Sequence, residues 1–139
     1  MMLPAQVRAA NGPTNARTVL VVEDEILVRA MVSEYLRDHG YEVIEAADAA
    51  EALAVFETEE PINIVFSDVQ MPGSMDGAML ADVVRLRYRI PVLLTTGDYV
   101  RAAALSLADT VMLLPKPYAL EDVVRHLEAL LTFGARARR

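Results

Sequence analysis

The sequence contains no cysteine, which removes both a disulfide framework and any cysteine-based zinc site and fits a reducing, cytoplasmic setting. It has no apolar run approaching the ~20 residues needed to cross a bilayer, so no membrane association is expected. Met1 to Arg17 mixes Pro, Asn, Gly, Thr and Ala without the basic-then-apolar order of an export signal. Positive charge is also scarce. Thirteen Lys and Arg against 20 Asp and Glu leave a formal charge of −7, whereas a nucleic-acid binder carries a basic face to neutralise phosphates. Arg136, Arg138 and Arg139 are too few to reverse that balance, and they read as a solvated terminus.

What is present is apolar. Of 139 residues, 54% are hydrophobic, enough to bury one core. The expected organisation is a disordered lead over 1–16, one domain over 17–133 and a basic tail over 134–139.

Within that domain, short apolar runs alternate with longer amphipathic ones, the pattern of a βα repeat with a parallel sheet. The runs Thr18–Val22, Ile62–Phe66, Pro91–Leu94 and Val111–Leu114 are nearly continuous in apolar side chains, as strands covered on both faces must be. Tyr41–Glu45 alternates, which predicts an edge strand. Val28, Met31, Val32, Tyr35 and Leu36 recur at helical spacing, as do Leu120, Val123, Val124, Leu127 and Leu131, and both stripes are expected to face the core. Asp48 followed by Glu51 predicts a capped helix with Leu53 and Phe56 on its inner face, and Gly40 should close the first helix. Right-handed crossovers then favour a doubly wound, three-layer α/β sandwich.

In such a sheet, ligands bind beyond the carboxyl ends of the strands. The residues standing there are Glu23 and Asp24 after the first run, Asp68 after the third, Thr96 after the fourth and Lys116 after the fifth. Any one of them has an ordinary structural explanation: loop carboxylates are usually solvated, a lysine is usually a surface lysine, and a strand-end hydroxyl usually bonds backbone. Together they form a constellation. Three carboxylates in one crevice repel one another unless a cation sits among them, and hard oxygen donors suit Mg²⁺, with waters and a phosphate oxygen completing its shell. With Asp24 and Asp68 on the metal and a lysine nearby, the site would receive a phosphoryl group, and Asp68, already ionised at neutral pH, would act as nucleophile without a general base. Thr95 competes with Thr96 as the hydroxyl, but alternate strand residues face opposite ways, and the count from Pro91 favours Thr96.

Glu23-Asp24, Asp68-Val-Gln70-Met-Pro72, Thr96-Gly97 and Lys116-Pro117 resemble, in order and spacing, the receiver domain of bacterial response regulators, over roughly Arg17 to Phe133. The resemblance implies a five-stranded parallel sheet of order 2-1-3-4-5 with five helices. It also implies Asp68 as phosphoacceptor, Asp24 as direct metal ligand, Glu23 as ligand through water and the main-chain carbonyl of Gln70 as a further ligand. Thr96 and Lys116 would engage the phosphoryl oxygens, and the Lys116-Pro117 peptide would be cis. The cofactor would be Mg²⁺, with Mn²⁺ able to substitute. The partner would be a histidine kinase or histidine phosphotransfer protein, and the chain a monomer or weak dimer that assists its own phosphorylation and dephosphorylation rather than a true enzyme. It would serve as effector, phosphate sink or relay intermediate.

Three features depart from the family's commonest pattern. The segment Pro72–Gly77 carries one extra residue, Gly97 stands where Ala is more usual, and Leu113 occupies a position that often holds an aromatic ring. Thr96-Gly97-Asp98-Tyr99 is similar to a subgroup with a Phe-Ala-Thr-Gly-any-Tyr signature, although Leu94 and Thr95 replace its first two letters. The switch is therefore expected around Gly97, Asp98, Tyr99 and Leu113, with a weakly anchored helix over Arg101 to Leu107 reporting it.

Other classes fit less well. An aspartyl phosphohydrolase needs a second acid two residues beyond the nucleophile, where Gln70 stands, and also a cap segment. A nucleotide-binding loop needs glycines where Glu23, Asp24 and Glu25 stand. A receiver fold stripped of chemistry would not keep every polar position filled. His39 and His126 have no charged constellation near them and read as structural.

Overall fold

A computed structural model describes residues 17–137. The element order is β1 (Thr18–Val22), α1 (Ile26–Asp38), β2 (Glu42–Ala46), α2 (Ala49–Glu57), β3 (Ile64–Asp68), α3 (Gly77–Val83) continued by a π-helical turn (Val84–Tyr88), β4 (Val92–Thr96), α4 (Tyr99–Ala104), β5 (Val111–Pro115) and α5 (Leu120–Ala137). All five strands are parallel, in the order β2-β1-β3-β4-β5, as expected. β2, the run that alternates in sequence, lies at one edge. The lead over 1–16 falls outside the described residues, as do 138 and 139, and α5 continues to Ala137 into the segment read as a tail.

Strand alternation sorts the core into two layers. Leu20, Val22, Val65, Val92 and Leu94 point to one face, packing with Ala52 and Phe56 of α2 and with Leu80 and Ala81 of α3. Val19, Val21, Ile64, Phe66 and Leu93 point to the other, against Val32 and Leu36 of α1 and Val123, Leu127 and Leu130 of α5. Each fully buried Leu or Val removes enough apolar surface from water to contribute roughly 1.5–3 kcal/mol, and this two-sided demand explains the continuous apolar strands.

The helix ends follow their caps. Asp48 Oδ1 accepts the Glu51 amide at 2.9 Å while Glu51 Oε1 accepts the Ala47 amide at 2.7 Å, a reciprocal N-terminal cap. Gly40, at φ +91°, ends α1 in the left-handed region that a side chain disfavours.

Several expectations are corrected. Met31 is 54% exposed: the inner stripe of α1 is narrow and carried by Val32 and Leu36, so Met31 falls just outside the arc that meets the sheet. Leu130, absent from the expected stripe of α5, is fully buried. Leu53 is only half-buried, and the inner face of α2 consists chiefly of Ala49, Ala52 and Phe56. The third and fourth strands run two residues further than their apolar runs, to Asp68 and Thr96, because backbone pairing continues past the last apolar side chain. The fourth helix ends at Ala104, short of Leu107, and buries no side chain.

Candidate functional site

The sheet order reverses between β1 and β3, each of which continues to a neighbour on opposite sides, and the crevice at such a reversal is where a doubly wound fold binds ligands. The ends of β1 and β3 present Glu23 and Asp68 there. The Glu23 amide donates to the Ala46 carbonyl at 3.0 Å, extending the β1–β2 ladder by one bond, so its side chain is held at the sheet edge and is only 6% exposed. Its Oε2 accepts the Glu25 amide at 3.0 Å. Burial pushes the Glu23 carboxyl above its ordinary range; the Glu25 amide opposes this, Asp68 and Asp24 reinforce it, and Lys116 opposes it. Asp24, next in the chain, is exposed.

Asp68, the last residue of β3, is also 6% exposed. Its Oδ1 accepts the Gln70 amide at 3.1 Å, and its Oδ2 accepts from Lys116 Nζ at 2.6 Å. That ammonium comes from beyond the end of β5 across 48 residues of sequence. Burial works against the charged lysine, but the hydrogen bond and charge of Asp68, aided by Glu23 and Glu25, outweigh it and raise its pKa. The peptide joining Lys116 to Pro117 is cis, as the resemblance implied.

The loop after Asp68 turns back sharply. The Gly77 amide donates to the Val69 carbonyl at 2.8 Å, and a Cβ on Gly77 would lie 2.0 Å from the Asp68 carbonyl oxygen. Only glycine lets α3 start this close to the phosphoacceptor candidate. Gly97 is different: a Cβ there would meet Lys116 Cβ at 3.7 Å, an ordinary contact.

Thr96 and Thr95 differ as strand alternation requires. The Thr96 hydroxyl donates to Gln70 Oε1 at 2.8 Å and accepts the Asp98 amide at 3.0 Å. The Thr95 hydroxyl is buried with no hydrogen-bond partner among the described residues. Thr96 is therefore the hydroxyl in the polar network. Leu113 pairs across from Leu94 and packs against the core layer beneath α2 and α3. Tyr99 supplies an aromatic ring near here instead, its hydroxyl donating to the Lys116 carbonyl at 2.9 Å.

Sequence reasoning missed three participants. The side chain of Gln70 holds Thr96, although only its main chain was expected to matter. Arg29 donates to the Glu23 carbonyl at 2.7 Å and to Glu45 Oε1 at 3.2 Å, bracing the acidic turn from α1. Asp76 caps α3 through the Met79 amide at 2.9 Å and pairs with Arg101 of α4; its place three residues before Met79 was the one available signal. His39 and His126 each bond a carbonyl four residues back in their helices, those of Tyr35 and Asp122, away from this crevice.

The donors of Glu23, Asp24 and Asp68 and the Gln70 carbonyl are all oxygens, and the buried, mutually repelling carboxylates would be relieved by a hard cation. In type the set fits Mg²⁺, which takes few protein ligands and keeps water. Among the described residues, no group of three or more His, Cys, Asp or Glu side chains is arranged to hold a metal ion.

A family model for the response regulator receiver domain matches residues 19–128. The chain is 34% identical to the probable transcriptional regulator ycf27 of Cyanophora paradoxa, over 84% of this chain and 49% of that protein. It is 34% identical to the transcriptional regulatory protein PdtaR of Mycobacterium tuberculosis, over 84% of this chain and 60% of that protein. It thus spans about half the length of these curated relatives. Among solved structures, the chemotaxis protein CheY4 of Vibrio cholerae superposes with a TM-score of 0.68 at 33% identity, over 82% of this chain and 98% of that one.

Proposed function

This chain belongs to the response regulator receiver domain family of two-component signalling, and on that footing we propose that it is a phosphoryl-accepting switch whose acceptor is Asp68. The observation that carries the reading is the Lys116 ammonium lying 2.6 Å from a buried Asp68 oxygen at the sheet's reversal point, with Glu23 buried beside them.

A carboxylate oxygen of Asp68 attacks the phosphorus of a phosphohistidine. The new O–P bond forms as the P–N bond breaks, and the imidazole nitrogen keeps the electron pair. Lys116 supplies positive charge to the phosphoryl oxygens, and Thr96 supplies a hydroxyl donor once it leaves Gln70. The Asp68 main chain is fixed by β3 pairing and by the close approach of Gly77, so the nucleophile needs little reorganisation. Glu23, Asp24, Asp68 and the Gln70 carbonyl would hold Mg²⁺ or Mn²⁺, which when bound would neutralise charge on the phosphoryl oxygens.

Receiver domains take their phosphoryl group from histidine kinases or phosphotransfer proteins, and here Ile26, Leu27 and Met31 lie exposed on the first turns of α1, beside the acidic turn. That apolar patch, with Leu27 83% exposed, gives a donor protein a footing next to Asp68. An aspartyl phosphohydrolase is disfavoured, since the residue that would supply its second acid is Gln70, whose amide oxygen is bound to Thr96.

The test is incubation with Mg²⁺ and acetyl phosphate followed by intact mass. A single phosphoryl adduct is expected on the native chain and none on Asp68→Asn. An adduct that persists in Asp68→Asn, or a native chain that takes none, overturns the assignment.

A further inference from the structure

Helix α4 has six residues and buries none of them; Val100 is 82% exposed. A helix this short does not hold itself together, because nucleation costs more than one turn of hydrogen bonds returns. Nor is it glued down by apolar packing. Between α3 and the chain leaving α4 runs a cleft of about 200 Å³, lined by Ala81, Leu94, Leu105, Ala108 and Val111 among others. Polar ties must therefore hold α4 in place.

Two of those ties act at its first turn: Asp98 Oδ1 accepts the Arg101 amide at 3.0 Å, and the Tyr99 hydroxyl reaches the Lys116 carbonyl. The first is internal to the helix and the second ties it to the residue that follows β5; the third joins it to the cap of α3. The Arg101 guanidinium meets Asp76 Oδ2 at 2.5 Å, across 25 residues. The other oxygen of Asp76 accepts the Met79 amide at 2.9 Å and starts α3. A single carboxylate thus begins one helix and holds the next, and it does so from the loop that follows Asp68. Both side chains are partly shielded, 39% and 30% exposed, so the pair is less screened than a free surface pair.

We propose that the Arg101–Asp76 ion pair is a clasp that sets how much of the time α4 lies on the domain, making α4 a releasable helix whose detachment is governed by competition for the Arg101 guanidinium. An anion that takes Arg101, or salt that screens it, frees α4 from the domain. The clasp goes beyond the phosphoacceptor reading and does not depend on it, since both partners are present before any phosphoryl group arrives.

Amide hydrogen exchange followed by NMR on the full chain tests it, using the native protein, Asp76→Asn, Arg101→Gln and the double variant. Asparagine keeps the α3 cap while removing the charge. Each single change is expected to speed exchange of the Ala102 to Leu105 amides by about threefold or more, with α3 amides such as Leu80 unchanged. The double variant should exchange no faster than the faster single one, because both changes remove the same contact. Raising salt from about 0.01 M to about 1 M should speed α4 exchange in the native chain and not in Asp76→Asn. Unchanged α4 exchange in Asp76→Asn overturns the proposal. So does equal acceleration of α3 and α4, which would report loss of the cap, or a double variant whose effect is the product of the two single effects.

Discussion

The Thr96 hydroxyl has one hydrogen, and that hydrogen is committed to Gln70. A phosphoryl oxygen on Asp68 would have to compete for it, and a neutral hydrogen bond is worth about 0.5–1.5 kcal/mol net, roughly a threefold to tenfold change in an equilibrium. Gln70→Leu is therefore expected to raise the rate of phosphoryl uptake from acetyl phosphate by about threefold to tenfold, and to do so only while Thr96 is present. Intact-mass time courses of Gln70→Leu, Thr96→Val and the double variant check this; an equal acceleration in the Thr96→Val background would show that the Gln70 amide was merely obstructing the crevice. That Thr96 rather than Thr95 turns toward the strand-end crevice was legible from its place after the fourth apolar run and from strand alternation. Its engagement with Gln70 was not, because a side chain two residues past a strand end can turn either way and only the loop path sets its direction.

Among the elements, α1 shows how far periodicity reaches. Residues recurring every three or four positions define a stripe but not its width, so Met31 read as core beside Val32. In the fold Leu36 is fully buried against the sheet while Met31 is 54% exposed. Leu36→Ala is expected to cost about 2–5 kcal/mol through lost burial and a cavity, whereas Met31→Ala should stay within about 0.5 kcal/mol. Urea unfolding of the two variants separates them, and comparable midpoints would place Met31 in the core after all. The same exposure leaves Ile26, Leu27 and Met31 as one apolar patch beside the acidic turn. α2 was more legible than α1, because Asp48 and Glu51 form a cap from residues only three apart, a local interaction that sequence displays directly.

At the scale of the whole molecule, two tyrosines tie distant parts together and are expected to make its stability fall in alkali. Tyr41, just before β2, donates to Glu128 of α5, and burial, then Glu128, raises its pKa. Tyr118 packs edge-on against Phe66, and burial, then the negative charges of Glu23 and Asp68, push its pKa from 10.0 up to about 12. A phenol whose pKa is raised by folding holds its proton more tightly in the native state, so its contribution is intact below pH 10.0 and is lost as pH climbs through about 12. Denaturation midpoints should fall across that window and fall less steeply in Tyr118→Phe; a fall of unchanged slope would remove Tyr118 from the account. What the sequence determined by itself was the layered α/β frame and the acids, hydroxyl and lysine at its strand ends, because continuous apolar runs and the polar residues that end them are properties of neighbours in the chain. What only the tertiary structure decided were Gln70 on Thr96, Arg101 on Asp76, Arg29 on the Glu23 turn and the outward face of Met31. Each depends on how loops and helices approach one another across tens of residues, and many partners there are chemically equivalent until the packed sheet selects one.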